Sequence, residues 1–355
     1  MSRISVWAAW SEAAIWLYRR LPDSNDIQQT TIQRRMTPDL RYFLRLYPAP
    51  DNTLILRSSD ERVTFLETTS DGQRLQQPPV VPAQLAALPC YRVKPLPNGI
   101  IAGINPDMIY RWQPEASLQI IEAPDGFVIR DVAVDDTGRL WLCGSAPTRR
   151  LKSVASRPAV AMLEDDGISW QVIERAVGGL KTAWQQLLYG NDQSYRTIAA
   201  VNGYLAVSAE IDTIDHRATL LFVRDPRGRW RSDALHDDVL RSVLPAAGGG
   251  LKVVTHFGQI ISVDRRWRYD SLVDRLDSLI QAAIHLPAAV RYEIIDAQAA
   301  GHAIILVVSI RLVSEGDPAR LGEAVVLLSD KGDQVVTLHS RDEPEIITAS
   351  TLSRL

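Results

Sequence analysis

Six stretches of this chain follow one plan: an apolar residue, a charge, a short apolar run, then a turn rich in Gly, Asn or Asp. They are LRYFLRLYPAPDN, YRVKPLPNG, IRDVAVDDTG, YRTIAAVNG, LRSVLPAAGGG and YEIIDAQAAG, and each leads into a second apolar run. Their charges fall at Arg41, Arg92, Arg130, Arg196, Arg241 and Glu293, separated by 51, 38, 66, 45 and 52 residues. A seventh copy, PEIITASTL, sets Glu345 a further 52 residues on. A repeat constrains a chain more than any single motif, because one copy cannot bury its own faces and must stack on its neighbours. An irregular period of about 50 residues suits four-stranded propeller blades.

Runs such as TLILRSS, RVTFLET, RLWLCGS, YLAVSAE, TLLFVRD, LKVVTHF, QIISVD and EAVVLLSD are strand length, and turns such as PNG, DDTG, VNG, DPRG and DKG separate them. This is an all-β pattern. ISVWAAW, AAIWLYRRL and IQQTTI read as three strands ahead of the first full repeat, and the last repeat stops after one strand. The expectation is a single domain over 1–355, a seven-bladed β-propeller whose split blade joins 1–33 to 343–355 and so leaves no free sheet edge. Six or eight blades are the alternatives. The longer separations hold insertions. Leu180–Gly190 and Ser232–Val243 read as short helices. A helical insertion over about 270–286 is the clearest, with Leu272, Val273, Leu276, Leu279, Ile280, Ala283 and Ile284 on one face, Asp270 as its expected cap and Pro287 beyond its end.

Hydrophobic residues make up 46% of the chain and charged residues 23%, enough apolar surface for a core. The net charge of −3 offers no bulk positive field and argues against nucleic acid as the partner. Cys90 and Cys143 form no CxxC pair, and the six histidines have no HxxxH or HExxH spacing, so neither a metal site nor a cofactor is expected. Ile4–Tyr18 has Glu12 in its middle and lacks the form of a signal peptide. The uncharged run Ala303–Ile310 is far shorter than the roughly 20 residues of a membrane span. The chain is expected to be cytoplasmic, monomeric alone and without a membrane partner.

LEDDGISWQ, Leu163 to Gln171, combines an acidic turn, a glycine and a tryptophan. It resembles the Asp box, SxDxGxxW, of sialidase-type (BNR-like) bacterial propellers. Asp165, Gly167, Ser169 and Trp170 match, and Leu163 stands in place of the first Ser. RDPRGRW keeps Asp225, Gly228 and Trp230 in similar places. In that family the box is structural and lies away from the catalytic face, so the resemblance implies fold and not activity. The family's Arg-Ile-Pro signature is absent, and SRPAV at Arg157 does not replace it, so no catalytic residue is assigned.

The aligned charges carry the functional expectation. Inner strands line a propeller's channel, so Arg41, Arg92, Arg130, Arg196 and Arg241 would crown one rim, with Glu293 and Glu345 completing it. Converging guanidiniums favour a carboxylate-rich or phosphate-bearing partner. The competing reading pairs each with an acid on the next blade, as a staple. Two patches, Arg224–Arg231 and Asp264–Tyr269, interleave Arg with Trp or Tyr, which suits either an edge strand or stacked bases. Thr148–Arg157 reads as a basic loop of the kind that carries recognition. Glu210–His216 reads as a solvated hairpin tip. The leading expectation is a non-enzymatic interaction module for one protein partner with an acidic surface, in the manner of an immunity or specificity factor for a bacterial toxin or effector. The alternative is a lyase or hydrolase in which Arg130, Arg196 and Arg241 clamp an anionic small molecule and Glu293 or Glu345 acts as base. A third is an assembly subunit that binds RNA through the basic-aromatic edge.

Overall fold

Apart from β28, which pairs with β1, the alternating apolar runs fold as strands that pair with their sequence neighbours, because tight turns return each strand antiparallel to the one before it. The computed structural model describes residues 5–11, 14–20, 27–33, 43–48, 53–58, 63–68, 75–76, 92–96, 100–112, 118–147, 156–164, 167, 169–173, 194–212, 217–236, 238–246, 248–264, 266–284, 286, 290–300, 303–313, 319–329, 332–340 and 346–351. Among these residues lie seven four-stranded antiparallel sheets and one helix. The chain divides into two compact units, Met1–Ala87 with Lys252–Leu355, and Leu88–Leu251.

The second unit holds three complete sheets. The first is β8 (Arg92–Pro95), β9 (Ile101–Ile104), β10 (Met108–Trp112) and β11 (Gln119–Glu122). Then come β12 (Val128–Val134), β13 (Leu140–Pro147), β14 (Ser156–Leu163) and β15 (Trp170–Ile173). The third is β16 (Thr197–Val201), β17 (Tyr204–Asp212), β18 (Arg217–Arg224) and β19 (Trp230–His236). Consecutive sheets stack face to face. Ile104 and Ile109 meet Ile129, Leu142 and Ala161 in one core, and Trp141, Cys143 and Val160 meet Tyr195, Val207 and Phe222 in the next. Each fully buried aliphatic side chain contributes about 1.5–3 kcal/mol.

In the first unit β4 (Phe43–Pro48), β5 (Thr53–Ser58), β6 (Val63–Thr68) and β7 (Leu75–Gln76) form one sheet, and β24 (Val290–Ala300), β25 (Ala303–Leu312), β26 (Ala319–Leu328) and β27 (Gln334–Ser340) form another. A third has the order β28 (Ile346–Thr351), β1 (Ser5–Ser11), β2 (Ala14–Arg20), β3 (Ile27–Gln33). Here β28 pairs antiparallel with β1, Ala8 opposite Ser350. Ala14 and Trp16 of β2 pack on Ile305, Val307 and Val325. The seventh sheet is β20 (Leu240–Pro245), β21 (Leu251–Thr255), β22 (Gln259–Val263) and β23 (Trp267–Ser271).

One joint recurs. The Ile129 N–H donates to the Pro106 carbonyl of the preceding sheet at 2.7 Å, and the Ile294 N–H donates to the His256 carbonyl at 2.7 Å. Both donors sit at a β-bulge, between Ile129 and Asp131 and between Ile294 and Asp296. The bulge interrupts the ladder, and the neighbouring turn takes up the released donor.

The helix α1 spans Val273–Ala283 and buries Leu276 and Ile280, a shorter element than the 270–286 read from the apolar periodicity. Asp270 does not cap it. Asp270 is in β23, paired with Ile260, and its carboxylate accepts from the Ser271 N–H at 2.9 Å. The Ser271 hydroxyl instead accepts from the Val273 N–H, at 3.2 Å. Tyr292 ties α1 to β24 by donating its hydroxyl to Asp277 at 2.7 Å. Among the described residues of 232–243 there is no helix. β19 runs through His236, each of its residues paired with β18, and β20 begins at Leu240. Between them Asp238 is buried, and its carboxylate turns back to its neighbour, the Val239 N–H. Pairing along the whole of β18 outweighs the local helical pattern. Leu180–Gly190 lies outside the described residues.

Candidate functional site

The first strands of the three complete sheets in the second unit are edge strands, so half of their backbone groups face away from any ladder. Two charged side chains fill that role for β16. Lys94 of β8 donates to the Asp131 carboxylate at 2.9 Å and to the Ile198 carbonyl at 2.7 Å. Asp131 of β12 accepts in turn from the Ile198 N–H at 3.0 Å. One residue of β16 thus has both backbone groups held by side chains from two other sheets. Arg92 completes the group, its Nη1 3.5 Å from the other Asp131 oxygen. Asp131 is only 1% exposed, so these partners take the place of water around it.

Burial pushes the Lys94 ammonium below its ordinary pKa; the Asp131 charge opposes that and Arg92 adds to it. Cys143 lies directly across from Asp131 on β13. Burial, and then the Asp131 charge, push its thiol well up, so it is a neutral core group and not a nucleophile. The Tyr195 phenol beside it is likewise pushed up by burial.

The residues singled out from the repeat separate into two kinds. Arg92 opens β8 half-buried against Asp131. Arg130 in the β12 bulge, Arg196 just before β16 and Arg241 in β20 are all exposed. Glu293, in the first unit, is buried. It accepts from Arg311 Nε at 2.7 Å and lies 3.4 Å from Arg291 Nε and 3.7 Å from His256 Nε2. The bulge residue is Arg130 in β12 but Ile295 in β24, so Arg130 and Glu293 do not hold equivalent registers. Arg41 and Glu345 lie outside the described residues. Lys94, Asp131, His256, Arg291 and Arg311 were not singled out. Each charge in an apolar strand was itself a signal, since a strand charge facing a core needs a partner.

The turn that resembles an Asp box links β14 to β15. Glu164 N–H donates to the Ser169 carbonyl at 2.8 Å, Gly167 N–H donates to the Glu164 carbonyl at 3.0 Å, and Gly167 has φ +71°. Trp170 packs into the core between sheets and donates its indole N–H to the Glu122 carbonyl of β11 at 2.9 Å, tying two sheets together. Asp165 lies outside the described residues. In the related turn at β18–β19, Asp225 accepts from the Arg227 and Arg229 N–H groups at 3.0 and 2.9 Å. The turn after β12 is built alike. Asp135 accepts from the Thr137 N–H and hydroxyl, the Arg139 N–H and the Trp141 indole. Burial alone would raise the Asp135 pKa, but these bonds hold it below the usual carboxylate range. All three turns do structural work.

Among the described residues no group of three or more His, Cys, Asp or Glu could hold a metal ion, and no helix is long and apolar enough to cross a membrane. No family model and no curated protein matches the chain. Among solved structures it is similar to YCF48 bound to a D1 peptide, at 13% identity and a TM-score of 0.48, over 88% of this chain and 92% of that one. It is also similar to BBS1N in complex with ARL6DN, at 12% identity and 0.45, over 85% and 83%. A third is the dihydro-heme d1 dehydrogenase NirN in complex with DHE, at 10% and 0.43, over 96% and 67%. These neighbours are β-propeller proteins.

Proposed function

We propose that the chain is a single seven-bladed propeller, closed by β28 against β1, that works as a non-enzymatic interaction module. It binds one protein partner with an acidic surface through the arginines of its inner strands. An immunity or specificity factor for a bacterial toxin or effector is the specific form of this proposal, and kinship with Asp-box propellers is part of it. The observation that carries it is the contrast within the second unit. Lys94 and Arg92 are half-buried beside Asp131, while Arg130, Arg196 and Arg241, at the first strands of successive sheets, are exposed. A rigid backbone that presents exposed guanidiniums suits carboxylate recognition. Arg92 and Glu293 are staples in this reading.

The enzyme alternative needs a carboxyl held above its ordinary range near the arginines. Among the described residues, the carboxyls with displaced acidity, Asp135, Asp225 and Asp333, all move down. The test is capture from native lysate with the wild type and with a variant carrying Arg130→Glu, Arg196→Glu and Arg241→Glu, both first shown to be folded. One stoichiometric protein partner lost in the variant, and weakened by added salt, is the expected result. A partner retained by both proteins would move the interface elsewhere.

A further inference from the structure

The register of the sheet β24–β27 lines up charges that the sequence keeps apart. Arg291 of β24 lies directly across from Arg311 of β25, and Arg311 lies directly across from Arg320 of β26. Three guanidiniums therefore start from one row across three strands. The row beside them is Glu293, Ser309 and Glu323, again directly opposite one another. Like charges in a cross-strand row repel, and the acids of the next row answer them: Arg311 donates to Glu293, and Arg320 lies 3.4 Å from Glu323. Ser309, in the middle of that second row, is 1% exposed, and its hydroxyl has no hydrogen-bond partner among the described residues.

The row opens to solvent at one end. Side-chain exposure rises from 15% at Arg320 to 30% at Arg311 and 41% at Arg291. Arg291 is also the best oriented of the three. Its guanidinium lies over the Phe257 ring, 4.0 Å from the centroid, and its Nε faces Glu293 at 3.4 Å. Stacking sets the plane and the acid lies on the Nε side, so the Nη edge of this part-exposed side chain is the one turned away from the acid. His256, from the turn that carries Phe257, stands across Glu293 from it. Its Nδ1 meets the Ile294 carbonyl at 3.0 Å, so Nδ1 carries a proton and Nε2 faces the carboxylate.

We propose that this end of the row is a binding site for an oxyanion, a carboxylate or a phosphate group. The Nη edge of Arg291 makes the forked contact, and Arg311 and Arg320 supply the positive field behind it. A planar fork already oriented by stacking loses little freedom when it binds such a group. The site is in the first unit and shares no residue with the Arg130, Arg196 and Arg241 reading.

The test uses the whole chain, titrated separately with inorganic phosphate and with succinate against sodium chloride at matched ionic strength. Heat of binding and melting temperature are both read, because a ligand that binds only the folded state raises the melting temperature saturably. The expected result is a saturable response to at least one of the two anions and none to chloride. Whichever anion gives the response identifies the source of the group. Arg291→Met, which keeps a flexible stem over Phe257, should weaken that binding about tenfold or more, as loss of a charge-assisted contact does. Arg139→Ala, in an exposed turn of the second unit, should leave it unchanged. If Arg291→Met does not fold, Arg291→Lys keeps the charge without the fork and should also weaken binding. No saturable response to either anion, or a response that survives loss of the fork, would overturn the proposal.

Discussion

Asp131 and Glu293 are both buried acids on the first strand of a sheet, and each meets more than one cation, yet they hold different things. Asp131 accepts from a backbone N–H of another sheet as well as from Lys94, and its oxygens reach β8 and β16 at once. Glu293 instead meets side chains, two of them arginines whose side chains are 41% and 30% exposed. The first acid is a joint between backbones. The second is a counter-charge at the edge of a basic surface. Two similar charges on similar strands thus have different roles, decided by whether the acid also holds a buried backbone group.

The largest expected effect breaks the first joint. Asp131→Ala strands the Ile198 N–H and leaves Lys94 and Arg92 with no carboxylate, and should cost about 3–5 kcal/mol in urea unfolding, as breaking a buried pair does. Glu293→Ala should cost less, about 1–2 kcal/mol, because Arg291 and Arg311 can rehydrate. Equal losses at the two sites would erase the distinction.

The next prediction concerns acid. Asp135 has its pKa lowered in the folded protein, so its contribution is present above the ordinary carboxylate range and fades as pH falls through the folded value. As pH falls below the ordinary carboxylate range, about 4, the wild type should progressively lose its margin over Asp135→Asn. Melting curves of the two proteins over that fall in pH would measure it, and a constant gap would contradict it. The smallest effects should be alike in the two units. Gly138 of the second has φ +86° with nothing within 4 Å of an added Cβ, and Gly258 of the first has φ +80° with only ordinary contacts. Ala at either should cost about 1–2 kcal/mol, the price of the left-handed conformation. A much larger loss at one would mean that its turn does more than turn.

Much of the fold was legible because a strand alternation and its glycine turn are local. ISVWAAW, AAIWLYRRL and IQQTTI became β1, β2 and β3, and IITAST became β28. The candidate site was legible only in part. A bulge adds a residue without marking the sequence, so matching Arg130 to Glu293 hid the different registers of β12 and β24. Asp131 stood next to the aligned Arg130, yet its partners come from 37 residues before it and 67 after it. The arginine row is less visible still, since Arg291, Arg311 and Arg320 meet only through pairing. The helix expected over Ser232–Val243 failed for the same reason, because its outcome was decided by the strand it pairs with.

The pairing of β28 with β1 has a consequence for synthesis. While the ribosome is still making the body of the chain, β1 has β2 on one side and nothing from its own sheet on the other. That open edge persists until residues 346–351 leave the exit tunnel, and unpaired edges of this kind recruit other strands. The nascent protein must therefore keep β1 out of wrong partnerships while the five intervening sheets and β24–β27 are made. A chaperone that covers this edge would matter more here than in a protein whose sheets are each made of consecutive strands.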